Sequence, residues 1–290
     1  MGRTLYRGYD REGLDREYNL RAKAGDRLPG YFQEYATRSL LLRANRPARL
    51  NRSYGPRGAN TLDIFPPDQT GPAPVHVFIH GGYWKSLDAK DFSFVAGAFA
   101  PKGVLTVVVD YTLVPHATIA EQAEECRWAL EWVWRHAREI GGDPGRIHLG
   151  GHSAGAHLVS MLLATDWAAR GLPADLIRSA MGISGVYDLE PIRHAFVNDD
   201  LRLTAGDAEA LSAPRLAPHV ACPVHISVGA EEGDEMLRQS ADLAKAWQGL
   251  GPEIRSEVLD GHDHFSIVLE LATPEGSLAR TAHALMGLGG

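Results

Sequence analysis

The chain has 290 residues, of which 44% are hydrophobic, and a formal net charge of −7. That length suffices for one large domain with a buried core. The acidic balance, without any long Lys/Arg block, excludes nucleic acid and an anionic membrane surface as expected partners.

Residues Met1 to Leu20 are charged throughout and lack the apolar stretch of a secretory signal. No run approaches the roughly 18 apolar residues of a membrane span. The two cysteines, Cys126 and Cys222, read as separate reduced thiols rather than a disulfide framework. The expected location is the cytoplasm, and one domain is expected over residues 1–290.

Residues 1–50 form an N-terminal extension with a helix over Tyr31–Ala44 and no β-rich core segment. Thr61–Phe65 reads as a short strand closed by Pro66 and Pro67. Val75–Ile79 and Val104–Val109 are unbroken apolar runs, the pattern of strands in a parallel sheet covered on both faces. Ile119–Ile140 has apolar residues at helical spacing and ends at Gly141-Gly142. Ile147–Leu149 is a strand that leads into Gly150-Gly151-His152-Ser153, and Ala154–Thr165 is a helix. Ala180–Ser184 and Val224–Val228 are further strands, and Leu237–Leu250 and Gly276–Leu288 further helices. This alternation predicts an α/β fold with a mostly parallel, doubly wound sheet and helices on both faces. The irregular stretch 187–217 reads as a small cap or lid segment.

Gly151-His152-Ser153-Ala154-Gly155 matches G-x-S-x-G, a pattern that is weak alone. Its place between a strand and a helix strengthens it, because a nucleophile elbow needs a sharp strand-to-helix turn. The bland alternative is a glycine turn with an idle serine. A second glycine motif, His80-Gly81-Gly82-Tyr83-Trp84, follows an apolar strand upstream, where this architecture carries oxyanion donors. By position those donors are the amides of Gly82 and Tyr83, joined by Ala154 after the nucleophile. Tyr83, Trp84 and His152 are the candidate substrate contacts, and the aromatic pair should narrow the space beside the scissile carbonyl.

A serine hydroxyl needs a histidine base, and that histidine needs an acid to orient it. The chain order in this fold is Ser, acid, His. The late candidates for the base are His262 and His264; His283 falls in an expected helix at a spacing that suits its surface, and His219 and His225 come too early. The acid should follow the strand Val224–Val228, where Glu231, Glu232 and Asp234 compete.

HGGYW, GHSAG, ISGVYDL, an RQS after the acidic loop and the late DHF together resemble the kynurenine formamidase (arylformamidase) branch of the α/β-hydrolases. Tyr18-Asn19-Leu20-Arg21 and Tyr54-Gly55 extend the resemblance over most of the chain. It implies His264, directly before Phe265, as the base. It places the acid six residues before Arg238, at Glu232, where the family often has Asp; Met236 likewise stands where an aromatic is usual. The implied reaction is hydrolysis of N-formyl-L-kynurenine to L-kynurenine and formate, with a small-molecule substrate and neither cofactor nor metal. Hydrolases of this type and size are often dimers, so a homodimer is the expected assembly.

Two other readings remain at this level. A carboxylesterase of small acyl or aryl esters would use the same residues. A non-catalytic binding scaffold would be expected to lack the serine, the histidine or the oxyanion glycines, all of which are present.

Overall fold

The computed structural model describes residues 3–288, so the outermost residues of the expected 1–290 domain lie outside it. The strands, in chain order, are β1 (Arg49–Ser53), β2 (Thr61–Phe65), β3 (Ala73–Ile79), β4 (Leu105–Val109), β5 (Gly142–His152), β6 (Ser179–Ile183), β7 (Val224–Gly229) and β8 (Ile254–Leu259). They form one sheet in the order β1-β2-β4-β3-β5-β6-β7-β8. β2 runs antiparallel to both β1 and β4, and every later pairing is parallel.

The helices are α1 (Arg11–Tyr18), α2 (Leu20–Ala24), α3 (Leu28–Asn45), α4 (Ala96–Phe99), α5 (Ile119–Ile140), α6 (Ala154–Leu163), α7 (Glu190–His194), α8 (Asn198–Leu201), α9 (Ala205–Leu211), α10 (Asp234–Trp247) and α11 (Ser277–Leu285). Strand alternation divides the core in two. Val75, Val77 and Ile79 of β3 enter a cluster with Leu130 of α5, Leu158 of α6 and Trp247 of α10. Phe78 enters the opposite cluster, with Tyr35 of α3, Phe99 of α4 and Leu278 of α11. Both faces of the sheet are thus covered, which is why its central strands carry no polar alternation.

α5 shows local and tertiary signals in agreement. Thr118 and Glu121 form a capping box at its start, and Gly141 ends it with φ 94.

Three features depart from the sequence reading. β1 is an additional edge strand, and its five residues are all exposed, so no hydrophobic period marks it. The extension holds two more helices, α1 and α2, beyond the expected one. His283 is buried rather than on the surface of α11, with Nε2 3.1 Å from the Ala98 carbonyl.

Segment 187–217 carries α7, α8 and α9, with Leu189, Ile192 and Val197 buried beneath it. It is joined to the extension: the Phe196 amide donates to Asp15 Oδ1 at 2.6 Å, and the Tyr6 hydroxyl to Asp188 Oδ2 at 2.7 Å. Cys126 and Cys222 are free and buried; burial raises both thiols, that of Cys222 to about 12. Among the described residues no helix is long and apolar enough to cross a membrane.

Candidate active site

The parallel strands end at one edge of the sheet, and the turns that follow β3, β5, β7 and β8 bring the chemistry together there. β5 runs through His152 into Ser153, which has φ 56 and ψ −121, before α6 begins at Ala154. A non-glycine residue is strained in this region. The turn is held by the Ser153 amide, which donates to the Ile183 carbonyl at 2.8 Å. The flanking glycines have steric causes. A Cβ on Gly155 would lie 2.0 Å from the Ile79 carbonyl oxygen, and one on Gly81 would lie 2.8 Å from Ser153 Cβ. The serine therefore stands where two strand ends touch.

After β3 the chain makes a left-handed run: Gly82 has φ 119, Tyr83 φ 49 and Trp84 φ 59. The Gly82 carbonyl turns inward and accepts from the Lys85 and Ser86 amides, each at 3.1 Å. The amides of Gly82 and Tyr83, and that of Ala154 in the first turn of α6, have no protein acceptor among the described residues. Three free amides beside a serine at a helix N-terminus can stabilise a developing oxyanion.

His264, on the turn after β8, has Nε2 2.9 Å from Ser153 Oγ and Nδ1 2.7 Å from Glu232 Oε2. Glu232, on the loop after β7, is 1% exposed. Its second oxygen, Oε1, accepts from the Gly229 amide at 2.6 Å and the Ser184 hydroxyl at 2.5 Å. A buried carboxylate so held can orient the imidazole and stabilise its cation.

Asp263 shapes the histidine turn by accepting from the Phe265 and Ser266 amides at 3.0 and 2.9 Å. Burial opposes its ionisation, but these donors hold its carboxyl below the ordinary range. His152 Nε2 lies 2.8 Å from the His264 carbonyl oxygen. Burial, with the neighbouring His264, pushes His152 well below the ordinary histidine range. It therefore stays neutral beside the His264 imidazole.

The remaining candidates separate from this group. Glu231 is exposed and pairs with Arg27 at 2.9 Å, and Asp234 is exposed in the first turn of α10. His262 lies 3.6 Å from Glu270 and does not line the cavity that holds Ser153. His225 lies 3.4 Å from Glu257 on the sheet.

Trp84 requires a correction. It is fully buried in the core, its ring edge-on to His157 at 5.3 Å, so it backs the turn and does not touch the cavity. The backbone is left-handed at both residues, and the Trp84 ring packs in the core with its centroid 6.3 Å from that of Tyr83. Tyr83 and His152 do line the cavity, which has a volume of about 380 Å³ and opens on Ser153 and His264. Phe32 and Tyr35 of α3, together with Phe92, Phe196 and Phe265, give it an aromatic wall. Apart from Phe265 in the DHF motif, these wall residues belong to none of the motifs singled out in the sequence.

A parallel-sheet scaffold with a strained serine elbow, free amides and a hydrogen-bonded line from Ser153 through His264 to Glu232 defines an α/β-hydrolase. A family model described as BD-FAE matches residues 62–178. The chain is 31% identical to the kynurenine formamidase of Salmo salar over 82% of each chain. It is 30% identical to that of Danio rerio, over 81% of this chain and 80% of the relative. The crystal structure of a candidate thioesterase from Silicibacter sp. TM1040 superposes with a TM-score of 0.81 at 30% identity, covering 93% of this chain and 98% of that one. The carboxylesterase EstE1, at 18% identity and a TM-score of 0.70, shares the fold. The chain belongs to the kynurenine formamidase family, and it is a hydrolase.

Proposed function

We propose that the protein is an arylformamidase that hydrolyses N-formyl-L-kynurenine through an acyl-enzyme on Ser153. The observation that carries the reading is the hydrogen-bonded line Ser153 Oγ–His264 Nε2 and His264 Nδ1–Glu232 Oε2, at 2.9 and 2.7 Å. His264 takes the hydroxyl proton as Ser153 attacks the formyl carbon. The amides of Gly82, Tyr83 and Ala154 hold the oxyanion. The tetrahedral intermediate collapses as His264 protonates the departing arylamine nitrogen. Water, deprotonated by His264, then releases formate and restores the serine.

The substrate class draws support from the cavity as well as from the family. Tyr83 lines the same cavity as Ser153, and a bulky ring there suits a small acyl group, while the aromatic wall suits an aryl leaving group. The decisive measurement compares kcat/KM for N-formyl-L-kynurenine with that for aryl esters of increasing acyl length. The formamide should be the preferred substrate, and ester rates should fall as the acyl chain grows. Cleavage of aryl acetates with N-formylkynurenine untouched would overturn the assignment in favour of a carboxylesterase.

A further inference from the structure

The cavity over Ser153 has aromatic walls, and the charge on them is one-sided. Its lining includes two cations, Arg21 and Lys85, and no carboxylate. In a chain of net charge −7 that is not a reflection of overall composition. The two cations differ in their surroundings. Lys85 Nζ pairs with Asp200, so its charge is already countered within the protein. The Arg21 side chain has no ion pair and no hydrogen bond among the described residues. Its guanidinium carbon lies 5.5 Å over the ring of Phe32 instead. A guanidinium resting on a ring keeps its in-plane N–H donors free, and that fork matches a carboxylate.

The backbone that carries Arg21 is also tied to the reacting groups. Asn19 Oδ1 accepts from the Ala22 amide, which sets the start of α2. One residue earlier, the Tyr18 carbonyl accepts from the Tyr83 hydroxyl at 2.7 Å. The turn that offers oxyanion donors and the segment that offers the free cation are therefore tied together.

We infer that Arg21 is a specificity residue that receives a carboxylate on the leaving-group side of the substrate, making the enzyme selective for aryl formamides with an anionic tail. The inference rests on the arylformamidase reading and deepens it. In N-formylkynurenine the amino-acid carboxylate lies at the end of the departing arylamine remote from the formyl carbon. The contact is made equally in ground state and transition state, so it acts mainly on KM. Arg21 is exposed at the cavity mouth, so solvent limits the effect to about tenfold rather than the larger values of buried pairs.

The test uses two substrates with the same aryl formamide, N-formyl-L-kynurenine and 2-acetylformanilide, which has no amino-acid tail. The ratio of their kcat/KM values is measured for the wild type, Arg21→Ala, Arg21→Gln and Arg21→Lys. The ratio should fall about tenfold in the Ala and Gln variants, chiefly through KM for N-formylkynurenine, and lie between these and the wild type in Arg21→Lys. Using a ratio removes any common loss of folded enzyme. A ratio within about twofold of the wild type in both neutral variants overturns the role of Arg21 while leaving the proposed reaction standing. A wild type that hydrolyses 2-acetylformanilide but not N-formylkynurenine overturns the proposed reaction itself, and the inference with it.

Discussion

The Tyr83 hydroxyl donates to the Tyr18 carbonyl at 2.7 Å, joining the turn after β3 to the boundary between α1 and α2. Burial, with a smaller effect from Glu232, holds this phenol well above its ordinary range, so it remains a protonated donor. The bond gives the N-terminal extension a part in shaping the site. Tyr83→Phe removes the bond but keeps the Tyr83 amide. Stability should fall by about 1 kcal/mol, the net worth of one hydrogen bond. KM should rise severalfold with kcat nearly kept, because the proposed oxyanion donors are backbone groups. A thermal melt alongside Michaelis kinetics checks both, and an unchanged melting temperature and KM would mean that this bond does not tether the turn.

Ser153→Ala and His264→Ala should each lower kcat by roughly 10³-fold or more, and the double variant should be little worse than either single one, since such residues act as a unit. The folded state should survive in both, judged by circular dichroism, because each change deletes a side chain without disturbing the glycine contacts of the elbow. Near-normal turnover in either variant would sink the proposed mechanism.

Acid sensitivity follows from histidines the site does not use. Burial lowers His76 to about 3, with help from His148 and His283. Burial likewise lowers His148 and His157 to about 4. In the unfolded chain each returns to 6.5, so below that value the unfolded state binds protons that the folded state refuses. Their contribution is fully present above about pH 6.5 and is lost as pH falls toward 4, with a total on the order of several kcal/mol. Denaturant midpoints taken across this window should drop steeply; a flat profile would mean that these rings are not buried neutral.

How much of this was legible depended on whether a local constraint forced a residue type. Gly81, Gly151 and Gly155 could be recognised because close backbone approach leaves no room for a side chain, and that requirement is written into adjacent positions. The central strands could be recognised because burial on two faces demands continuous apolar runs. β1 could not, since an exposed edge strand has no buried face to impose a period. His283 and Trp84 differ from the sequence expectation for a related reason. Helical spacing does not say which face meets the sheet, and a left-handed turn reverses where an aromatic points. Phe196, Phe265 and Arg21 meet only through the tertiary fold, so no spacing announces the cavity they line.

The acid loop shows the same limit most sharply, because spacing left Glu231, Glu232 and Asp234 level and only the family resemblance chose among them. The geometry separates them physically. Glu232 alone among the three is buried, and both its oxygens are committed: Oε2 to His264 Nδ1, Oε1 to the Gly229 amide and the Ser184 hydroxyl. Glu232→Gln keeps the shape but presents a neutral group that cannot stabilise the imidazolium, so kcat should fall by roughly 10³- to 10⁴-fold. Glu231→Gln and Asp234→Asn remove solvated charges and should stay within about twofold. Glu232→Asp is the informative intermediate. One methylene shorter, it cannot reach His264 without releasing Gly229 and Ser184, so it should retain partial activity with lowered stability. Ser184→Ala should lower kcat by a smaller factor, because it loosens Oε1 while leaving the bond to His264. Rates for this series, read beside their denaturation midpoints, test the ranking. Should Glu231→Gln prove more damaging than Glu232→Gln, the histidine takes its orientation from a different carboxylate.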